Sequence, residues 1–297
     1  MVEFNTVGQV KPILGVVRLD DYEVTWDASK YKPAPGDVDH PISFNYPVKY
    51  AVASDCTFDN LCNPSKFLED SQLQEKMKKG LDVAIKRLEA ARCDVITSDC
   101  GLFMWLQDYA ETCTQLPVCL SSLVILPHIF EKLCEDDKVA IFTSNGESLN
   151  KLKEKVLRDK LGNHIERLVV IGCDEAPYGV DIDGFEAVSL GKTVDVEKVK
   201  PGMIAVAKRL IEKESKVKTI VVECTEIPPY SDAIRQITKL PVYDTINICD
   251  SFINGFPKQA NLANGVTKQC FADRYGTYLY EVLGDTKVYT SKSAEKT

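Results

Sequence analysis

Short apolar runs rich in valine and isoleucine alternate along most of this chain with longer segments of helical period. The runs predict four strands in each half, at 13–18, 48–54, 94–98 and 117–121, then at 139–143, 168–172, 219–223 and 241–245. The longer segments predict helices at 72–91, 148–160, 196–215 and 229–238. Apolar strands that alternate with helices are typical of parallel sheets covered by helices. The pattern therefore predicts an α/β fold with doubly wound parallel sheets.

Two stretches of the chain, 94–122 and 219–245, look like copies of one another. The first reads DVITSDCGLF…LPVCLSS and the second TIVVECTEIP…LPVYDT. In both, an apolar run ends in an acidic residue followed by a cysteine, Asp99-Cys100 and Glu223-Cys224. Such self-similarity indicates an internal duplication that places one thiol from each half at matching strand ends.

The spacing around these cysteines repeats as well. From each cysteine to the proline of the next Leu-Pro-Val is 17 residues. Upstream, 84 residues separate each cysteine from a position in an apolar run, Val16 in one half and Ala140 in the other. Two thiols that face each other across a cleft can act as acid and base on opposite faces of one carbon atom. We therefore predict that Cys100 and Cys224 are catalytic.

The same patterns predict how the chain divides. We expect residues 1–137 together with about 246–297 to form a first α/β domain that carries Cys100, and residues 138–245 to form a second that carries Cys224. The segment 20–44 holds three prolines and many turn-forming residues, which predicts an ordered loop or flap after the first strand. Near the C-terminus, a helix-like segment at 275–283 is expected to pack on the first half.

Composition narrows the class of partner. The chain has 297 residues, of which 44% are apolar, and a net charge of −8. An acidic chain without a long basic block is not expected to bind nucleic acid or an anionic membrane. No apolar run approaches the ~20 residues that a membrane span needs, and the first residues lack the pattern of a signal peptide. We expect a cytoplasmic protein that acts on a small carboxylate substrate.

Cysteine usage points the same way. The 11 cysteines are scattered and odd in number, which favours reduced thiols. No Cys-x-x-Cys pair occurs and the three histidines lie far apart, so no metal site is expected. Proton transfer between two thiols needs no cofactor, and we expect none.

Other side chains are candidates for holding the substrate. Arg18 ends the first strand and could clamp a carboxylate with two hydrogen bonds, or could pair with the aspartates that follow it. Donors for a developing oxyanion could come from the loop after the first strand of the second half and from behind the second cysteine: Thr143, Ser144, Asn145 and Thr225. The same loop could instead cap a helix. Tyr230 and Tyr243 are expected to pack.

At these residues the chain resembles the cofactor-independent aspartate/glutamate racemase superfamily. ECTEIP at 223–228 and LPVYDT at 240–245 look like that superfamily's Cys-Thr-Glu signature and the strand that follows it. The resemblance implies two pseudo-symmetric, flavodoxin-like domains with Cys100 and Cys224 in the cleft between them. It adds Glu226 to the substrate-binding candidates. It also adds Gly101, which stands where amino-acid racemases typically have the asparagine of a Cys-Asn-Thr sequence.

The first-half motif, TSDCGLF, departs from that sequence. Together with LGVVRLD at 14–20, APGDVDHPISF at 34–44 and ECTEIPPYSDAIR from 223, it looks closer to the branch of the superfamily that contains algal dimethylsulfoniopropionate lyases. In such a lyase the resemblance points to Cys224 as the base. A sulfonium substrate would need a cation-friendly pocket, for which the available aromatic residues are Trp26, Tyr31, Phe44, Phe103 and Trp105.

Three functions follow from these observations. The leading prediction is a racemase-type enzyme in which one thiol abstracts the proton α to a carboxylate and the other returns it. The alternative is a dimethylsulfoniopropionate lyase, which shares the first step but expels dimethyl sulfide and leaves acrylate. A thiol redox sensor or metabolite binder is the third. The resemblance also implies a homo-oligomer, either a dimer or a tetramer.

Overall fold

Two sheets form the frame of the molecule in a computed structural model that describes residues 12–22, 33–255, 280–283 and 288–289. The first has the order β10-β9-β2-β1-β3-β4 and the second the order β6-β5-β7-β8. The strands are β1 (Leu14–Arg18), β2 (Val48–Val52), β3 (Val95–Ser98), β4 (Val118–Cys119), β5 (Lys138–Thr143), β6 (Leu168–Gly172), β7 (Val217–Val222), β8 (Val242–Tyr243), β9 (Tyr280–Leu283) and β10 (Val288–Tyr289). All pairings are parallel except that of β9 with β10. The predicted α/β fold is confirmed.

Helices connect the strands. They are α1 (Phe58–Cys62), α2 (Pro64–Glu69), α3 (Ser71–Ala90), α4 (Gln107–Cys113), α5 (Leu126–Phe130), α6 (Gly146–Leu152), α7 (Arg158–Leu161), α8 (Glu186–Ser189), α9 (Val196–Lys213), α10 (Ser231–Thr238) and α11 (Thr245–Gly255). A π-helical turn, Lys153–Leu157, joins α6 to α7 without a break, so the helix predicted at 148–160 is present and changes only its hydrogen-bonding pattern in the middle. The long helix α3 buries one apolar face and begins at Asp70, whose carboxylate accepts the backbone N–H groups of Gln72 and Leu73. None of the helices in the described ranges is long and apolar enough to span a bilayer.

Each half repeats the same strand order. The first four strands run 2-1-3-4, and β5 to β8 repeat that order in the second sheet. The order reverses between β1 and β3, and again between β5 and β7. Loops at the carboxyl ends of strands beside such a switch point form the ligand crevice of an open parallel sheet. Each predicted catalytic cysteine follows one of these strands, β3 or β7, by two residues.

The backbone hydrogen bonds correct one part of the repeat. The N–H of Asp99 donates to the Val17 carbonyl, and the N–H of Glu223 donates to the Phe142 carbonyl. Val17 therefore corresponds to Phe142, whereas the spacing of 84 residues equated Val16 with Ala140, which is wrong by one residue. Register is fixed by strand pairing, and the intervening loops and helices absorb the difference. As a consequence, Arg18 and Thr143, the next residues of β1 and β5, occupy equivalent positions.

The helix-like prediction at 275–283 is wrong where the structure describes it. Tyr280–Leu283 forms β9, which pairs in parallel with β2. Residues 275–279 lie outside the described part of the chain, as does the middle of the predicted flap at 23–32. A strand can form here because β2 offers an open edge, and pairing with that edge outweighs a weak local pattern.

Candidate active site

The loops that carry the two cysteines interlock across the two halves. The Thr225 hydroxyl donates a hydrogen bond to the Asp99 carbonyl. On the other side Gly101 packs so closely on the backbone of Glu223 that a Cβ at position 101 would overlap its carbonyl oxygen. The Ser122 hydroxyl adds a hydrogen bond of 2.7 Å to the Val222 carbonyl. These contacts hold the ends of β3 and β7 together, and both cysteines are buried there.

These contacts of Gly101, Ser122 and Thr225 between the halves, called the clasp below, explain why a glycine follows the first cysteine. Thr225 and Gly101 occupy equivalent positions of the two halves, and each rests against the backbone of the acidic residue from the opposite half. Position 101 therefore has no room for the asparagine of the racemase sequence unless the backbone shifts. Gly101 presents no side chain to a substrate, and Thr225 uses its hydroxyl in the clasp.

The acidic residues before the cysteines are tied to the opening strands of their own halves. Asp99 accepts the Leu19 N–H with both carboxylate oxygens at 3.1 Å. Glu223 accepts the Thr143 hydroxyl at 2.7 Å. Burial raises the pKa of Glu223 to about 7, and the hydrogen bond from Thr143 opposes that rise. Thr143 is thus buried, and its hydroxyl is bonded to Glu223.

Because burial raises its pKa, Glu223 should make stability depend on pH. The folded-state pKa of about 7 lies above the usual 4.5, so the stability present below pH 4.5 is lost as the pH rises through 7. Glu223→Gln keeps an acceptor for Thr143 but does not titrate. Between pH 4.5 and 8 its free energy of unfolding should therefore rise by about 3 kcal/mol relative to that of the wild-type protein. Urea unfolding of both proteins at pH 5 and pH 8 measures this gain. Replacement of the exposed Glu166 by glutamine is the matched control. A difference in free energy of unfolding between Glu223→Gln and the wild type that does not change with pH would contradict the prediction.

The two thiols have different surroundings. Burial raises the pKa of both well above the ordinary value, and nearby carboxylates add to the effect. At Cys224 two nearby donors, the Ser144 hydroxyl and the Glu226 N–H, oppose that rise. At Cys100 one donor, the Leu102 N–H, opposes it, and the neighbouring Cys62 thiol raises the pKa further. Cys224 therefore has more donors that favour its thiolate than Cys100 has.

Arg18 does not point an open guanidinium into the cleft. Its side chain is 1% exposed, and its Nη2 lies 2.9 Å from Asp39 Oδ2. Its Nε lies 3.9 Å from Asp99 Oδ2, and the guanidinium stacks 5.4 Å from the centre of the Tyr50 ring. The side chain pairs with acidic residues, although not with the aspartates that directly follow it in sequence.

Of the remaining candidates, some lie beside Cys224 and others stabilise the surrounding structure. Ser144 reaches Cys224, as described above, and Glu226 lies beside the same thiol. Asn145 caps α6 by accepting the Ser148 N–H at 2.7 Å, the alternative that the sequence left open for this loop. Of the aromatic residues suggested for a sulfonium pocket, three pack in buried apolar clusters, and Trp26 and Tyr31 lie outside the described residues. The three are Phe44, Phe103 and Trp105.

The described end of the flap, residues 33–44, reaches across to the second half. Gly36, at φ +101°, lies so close to Pro229 that a Cβ there would be 3.0 Å from the proline Cα. Beyond this contact, the Asp39 N–H donates to Asp37 at 2.8 Å, and the Tyr50 hydroxyl donates to the Val38 carbonyl at 3.1 Å. The flap therefore brings two buried aspartates, Asp37 and Asp39, to the contact between the two halves.

Sequence reasoning missed these aspartates, and it assigned Tyr230 to packing alone. Tyr230 is fully buried, and its hydroxyl has no hydrogen-bond partner among the described residues. The signal for the aspartates was present, because Asp37 and Asp39 flank the apolar Val38 in a proline-rich loop that follows the switch-point strand β1. Nothing local marked Tyr230, since an unpaired buried hydroxyl is visible only in the folded structure.

Comparison with known proteins identifies the family. The chain is 40% identical over 244 residues to a dimethylsulfoniopropionate lyase from Durusdinium sp. clade D, and the match covers 82% of this chain and 74% of that protein. Dimethylsulfoniopropionate lyase 7 from Emiliania huxleyi (strain CCMP1516) is also 40% identical, over 247 residues that cover 82% of this chain and 66% of that protein. The chain belongs to the dimethylsulfoniopropionate lyase family. The match spans 59% of another member, lyase 3 of E. huxleyi, so the chain corresponds to about two thirds of these relatives' length.

Solved structures agree on the fold. A cysteine variant of arylmalonate decarboxylase superposes with a TM-score of 0.52 at 15% identity, covering 83% of this chain and 95% of that one. An aspartate racemase homologue from Pyrococcus horikoshii has a TM-score of 0.48, also at 15% identity, with 83% and 98% covered. The sequence matches confirm the resemblance to the branch of lyases, and the arylmalonate decarboxylase superposition shows a shared fold. No protein-family model matches the chain.

Membership in the dimethylsulfoniopropionate lyase family corrects the leading functional prediction. Racemase activity was inferred from the presence of two cysteines, but the relatives at 35–40% identity are named lyases. The inference failed because both reactions begin with abstraction of a proton α to a carboxylate. A cysteine at each strand end is therefore compatible with either outcome.

Proposed function

We propose that this protein cleaves dimethylsulfoniopropionate to dimethyl sulfide and acrylate, with Cys224 as the base. The reaction is the one named for the relatives that share 40% of its sequence over 82% of the chain. The observation that carries the choice of base is that two donors near Cys224, the Ser144 hydroxyl and the Glu226 N–H, oppose the rise in its pKa. Donors directed at a sulfur stabilise its thiolate form, which is the reactive one.

The proposed step is a β-elimination. The Cys224 thiolate takes the proton from the carbon α to the substrate carboxylate, and the electron pair of that C–H bond forms the new double bond to the β carbon. The bond from the β carbon to sulfur breaks, its electrons leave with sulfur, and neutral dimethyl sulfide departs from acrylate. The proton on Cys224 then passes to solvent, which restores the thiolate for another turnover. No redox change occurs, and no cofactor is required.

The differences between the two halves fit a reaction that needs one base. A racemase must hold both thiols ready, one to remove and one to return the proton. Here Cys100 is placed among Cys62, Glu223 and Asp99, all of which raise its pKa. Cys100 is thus the less favoured base, and its place in the proposed mechanism is to line the face of the cleft opposite Cys224. Burial of both thiols keeps water from the carbanion.

A proton NMR time course with reduced protein in deuterated buffer tests the proposal. Dimethylsulfoniopropionate should give the vinyl signals of acrylate together with the methyl signal of dimethyl sulfide, without added metal or cofactor. L-aspartate and L-glutamate, offered separately, should keep their α-proton signals. Stable dimethylsulfoniopropionate signals over a long incubation with correctly folded protein would refute the lyase assignment.

A further inference from the structure

A serine of the first half is bonded to the backbone that leads into the proposed base of the second half. Ser122 begins a short 3-10 helix after β4, and the residue is fully buried. Its hydroxyl donates a hydrogen bond of 2.7 Å to the carbonyl of Val222, which lies 100 residues further along the chain and ends β7. Cys224 follows two residues later. The bond therefore ties the first half to the strand end that carries the base.

The peptide unit between Val222 and Glu223 is held at both ends. Its N–H, on Glu223, donates to the Phe142 carbonyl of β5 at 2.8 Å. The C=O and N–H of a trans peptide point in opposite directions, so the Val222 carbonyl points towards β8, the neighbour on the other side of β7. The pairing of β7 with β8 ends one residue earlier, at Val221. Ser122 thus supplies a donor where the ladder between these two strands has stopped.

This double attachment bears on the position of the Cys224 sulfur. A planar peptide that is bonded on both sides cannot rotate without breaking a hydrogen bond, so the chain leaves β7 in one fixed direction. Only Glu223 intervenes before Cys224, and its carboxylate accepts the Thr143 hydroxyl at 2.7 Å. The two donors that favour the thiolate, the Ser144 hydroxyl and the Glu226 N–H, act on the sulfur only while it stays near them. Loss of the hydrogen bond to the β7 carbonyl should therefore let the sulfur move relative to these donors.

The repeat attaches this hydroxyl to one cysteine only. In both halves, the residue four positions before the cysteine pairs with the valine of the next Leu-Pro-Val, so Ser122 corresponds to Ile246. An isoleucine side chain has no hydrogen-bond donor, and Ile246 packs against the apolar cluster around β1 and β2. The segment before Cys100 is held one residue later, by the hydroxyl of Thr225. The two halves thus share a fold but hold their cysteines differently, and the strand-end peptide bonded by a serine is the one that leads to Cys224.

We propose that Ser122 is a positioning residue for Cys224, because its hydroxyl fixes the last peptide unit of β7 and thereby the place from which the thiolate meets the α carbon of the substrate. The role of Cys224 as the base rests on the proposed function, whereas the tether and its attachment to this strand end rest on the structure alone. Ser122 acts through the backbone and touches no reacting atom. Its contribution is therefore to placement of the base and not to affinity for the substrate.

Ser122→Ala removes the hydroxyl and little else. In this variant kcat for acrylate formation should fall by about tenfold or more, because misplacement of a reacting group by about 1 Å costs up to about 10²-fold. KM should change by less than about threefold, since Ser122 is assigned no contact with the substrate. Ser122→Thr restores a hydroxyl at this position and should recover most of kcat. Initial rates at several substrate concentrations, on proteins with native circular dichroism, give both constants.

Ser148→Ala is the matched control. Ser148 is also buried and its hydroxyl also joins the two halves, but it donates to the carbonyl of Cys62, the last residue of α1. This variant should therefore lose a hydrogen bond of the same kind and keep the wild-type kcat. Equal losses of kcat in the two variants, with equal losses of stability to urea, would assign Ser122 to stability alone and overturn the proposal. If Ser122→Ala lacks native circular dichroism, Ser122→Cys, which keeps a weak S–H donor, takes its place, and its kcat should fall below that of Ser148→Ala.

A second readout reports on the Cys224 sulfur without turnover. Burial raises the pKa of Cys224 well above the ordinary value, so its S–H group is present at pH 6, and the Raman stretching band of that group depends on the hydrogen bonds of the sulfur. Subtracting the spectrum of Cys224→Ser, in the wild type and in each serine variant, isolates this band from those of the other thiols. The band should shift in Ser122→Ala and keep its wild-type position in Ser148→Ala. A wild-type band position in Ser122→Ala would overturn the proposal.

The two readouts separate this proposal from the proposed function. The Raman band can be recorded whether or not acrylate forms. A shifted band in Ser122→Ala, in a protein whose wild type forms no acrylate, would refute the lyase assignment and leave the tether between Ser122 and the Cys224 segment in place. Acrylate formation by the wild type, with an unaltered kcat and an unaltered band in Ser122→Ala, would refute the positioning role alone.

Discussion

Cys224→Ser should abolish acrylate formation while the protein keeps its fold. A serine hydroxyl is far too weak an acid to supply an alkoxide at neutral pH, so the Ser144 hydroxyl and the Glu226 N–H would have no anion to stabilise. General bases contribute about 10²–10⁴-fold to proton abstraction, and we expect kcat to fall by about 10³-fold or more. Initial rates of acrylate release, with circular dichroism of both proteins, measure the effect.

Two further cysteine variants make this result specific. Cys100→Ser should lower kcat much less than Cys224→Ser, because an elimination requires one base and Cys100 has a single donor, the Leu102 N–H, that favours its thiolate. The exposed Cys134→Ser should retain full activity. Equal losses at Cys100 and Cys224 would indicate that both thiols move protons, and full activity in Cys224→Ser would remove it from the mechanism.

Replacement of Arg18 by methionine should destabilise the protein by about 3–5 kcal/mol, since it leaves the buried Asp39 and Asp99 without their positive partner. The pKa of Asp99 is already raised by burial and by Asp39, while Arg18 opposes that rise. Without Arg18 the Asp99 carboxyl ionises at greater cost, so the loss should be larger at pH 8 than at pH 5.5. Urea unfolding at the two pH values gives both quantities.

Two further variants distinguish an arginine that stabilises the fold from one that binds the substrate carboxylate. Lys86→Met removes a cation from an exposed pair with Asp82, and it should change stability by less than about 0.5 kcal/mol. Arg18→Met combined with Asp39→Asn should recover part of the loss, because one of the uncompensated charges is gone. Native stability in Arg18→Met together with weak substrate binding would instead favour the carboxylate clamp that the sequence suggested.

The two halves of the molecule were predictable because their signals are local. Continuous Val- and Ile-rich runs predict buried parallel strands, and the runs at 13–18 and 168–172 coincide within a residue with β1 and β6. The repeated acidic-cysteine pair predicted which strand ends matter. Against this, β9 was mistaken for part of a helix, because a four-residue edge strand is defined by its neighbour rather than by its own pattern.

The charges around the site were less predictable. Arg18 and Glu226 were both singled out from the sequence, but their surroundings depend on contacts across 21 residues for Arg18 with Asp39, and on the flap for Glu226. Gly101 was expected near the substrate and instead closes the clasp against Glu223. Contacts between residues far apart in sequence produce no periodic pattern of apolar and polar positions, so the sequence alone did not indicate them.

The sequence by itself determined the α/β class, the duplication and the two cysteines, because strand burial and repeated motifs are written in consecutive residues. Only the tertiary structure decided that Ser144 and Glu226 act on one thiol and not the other, that Arg18 pairs with Asp39, and that the buried Tyr230 hydroxyl has no hydrogen-bond partner among the described residues. The physical reason is that pKa values and ion pairing depend on distance and burial in space. Residues from the flap, from β3 and from β7 acquire their chemistry only when the fold brings them into one cleft.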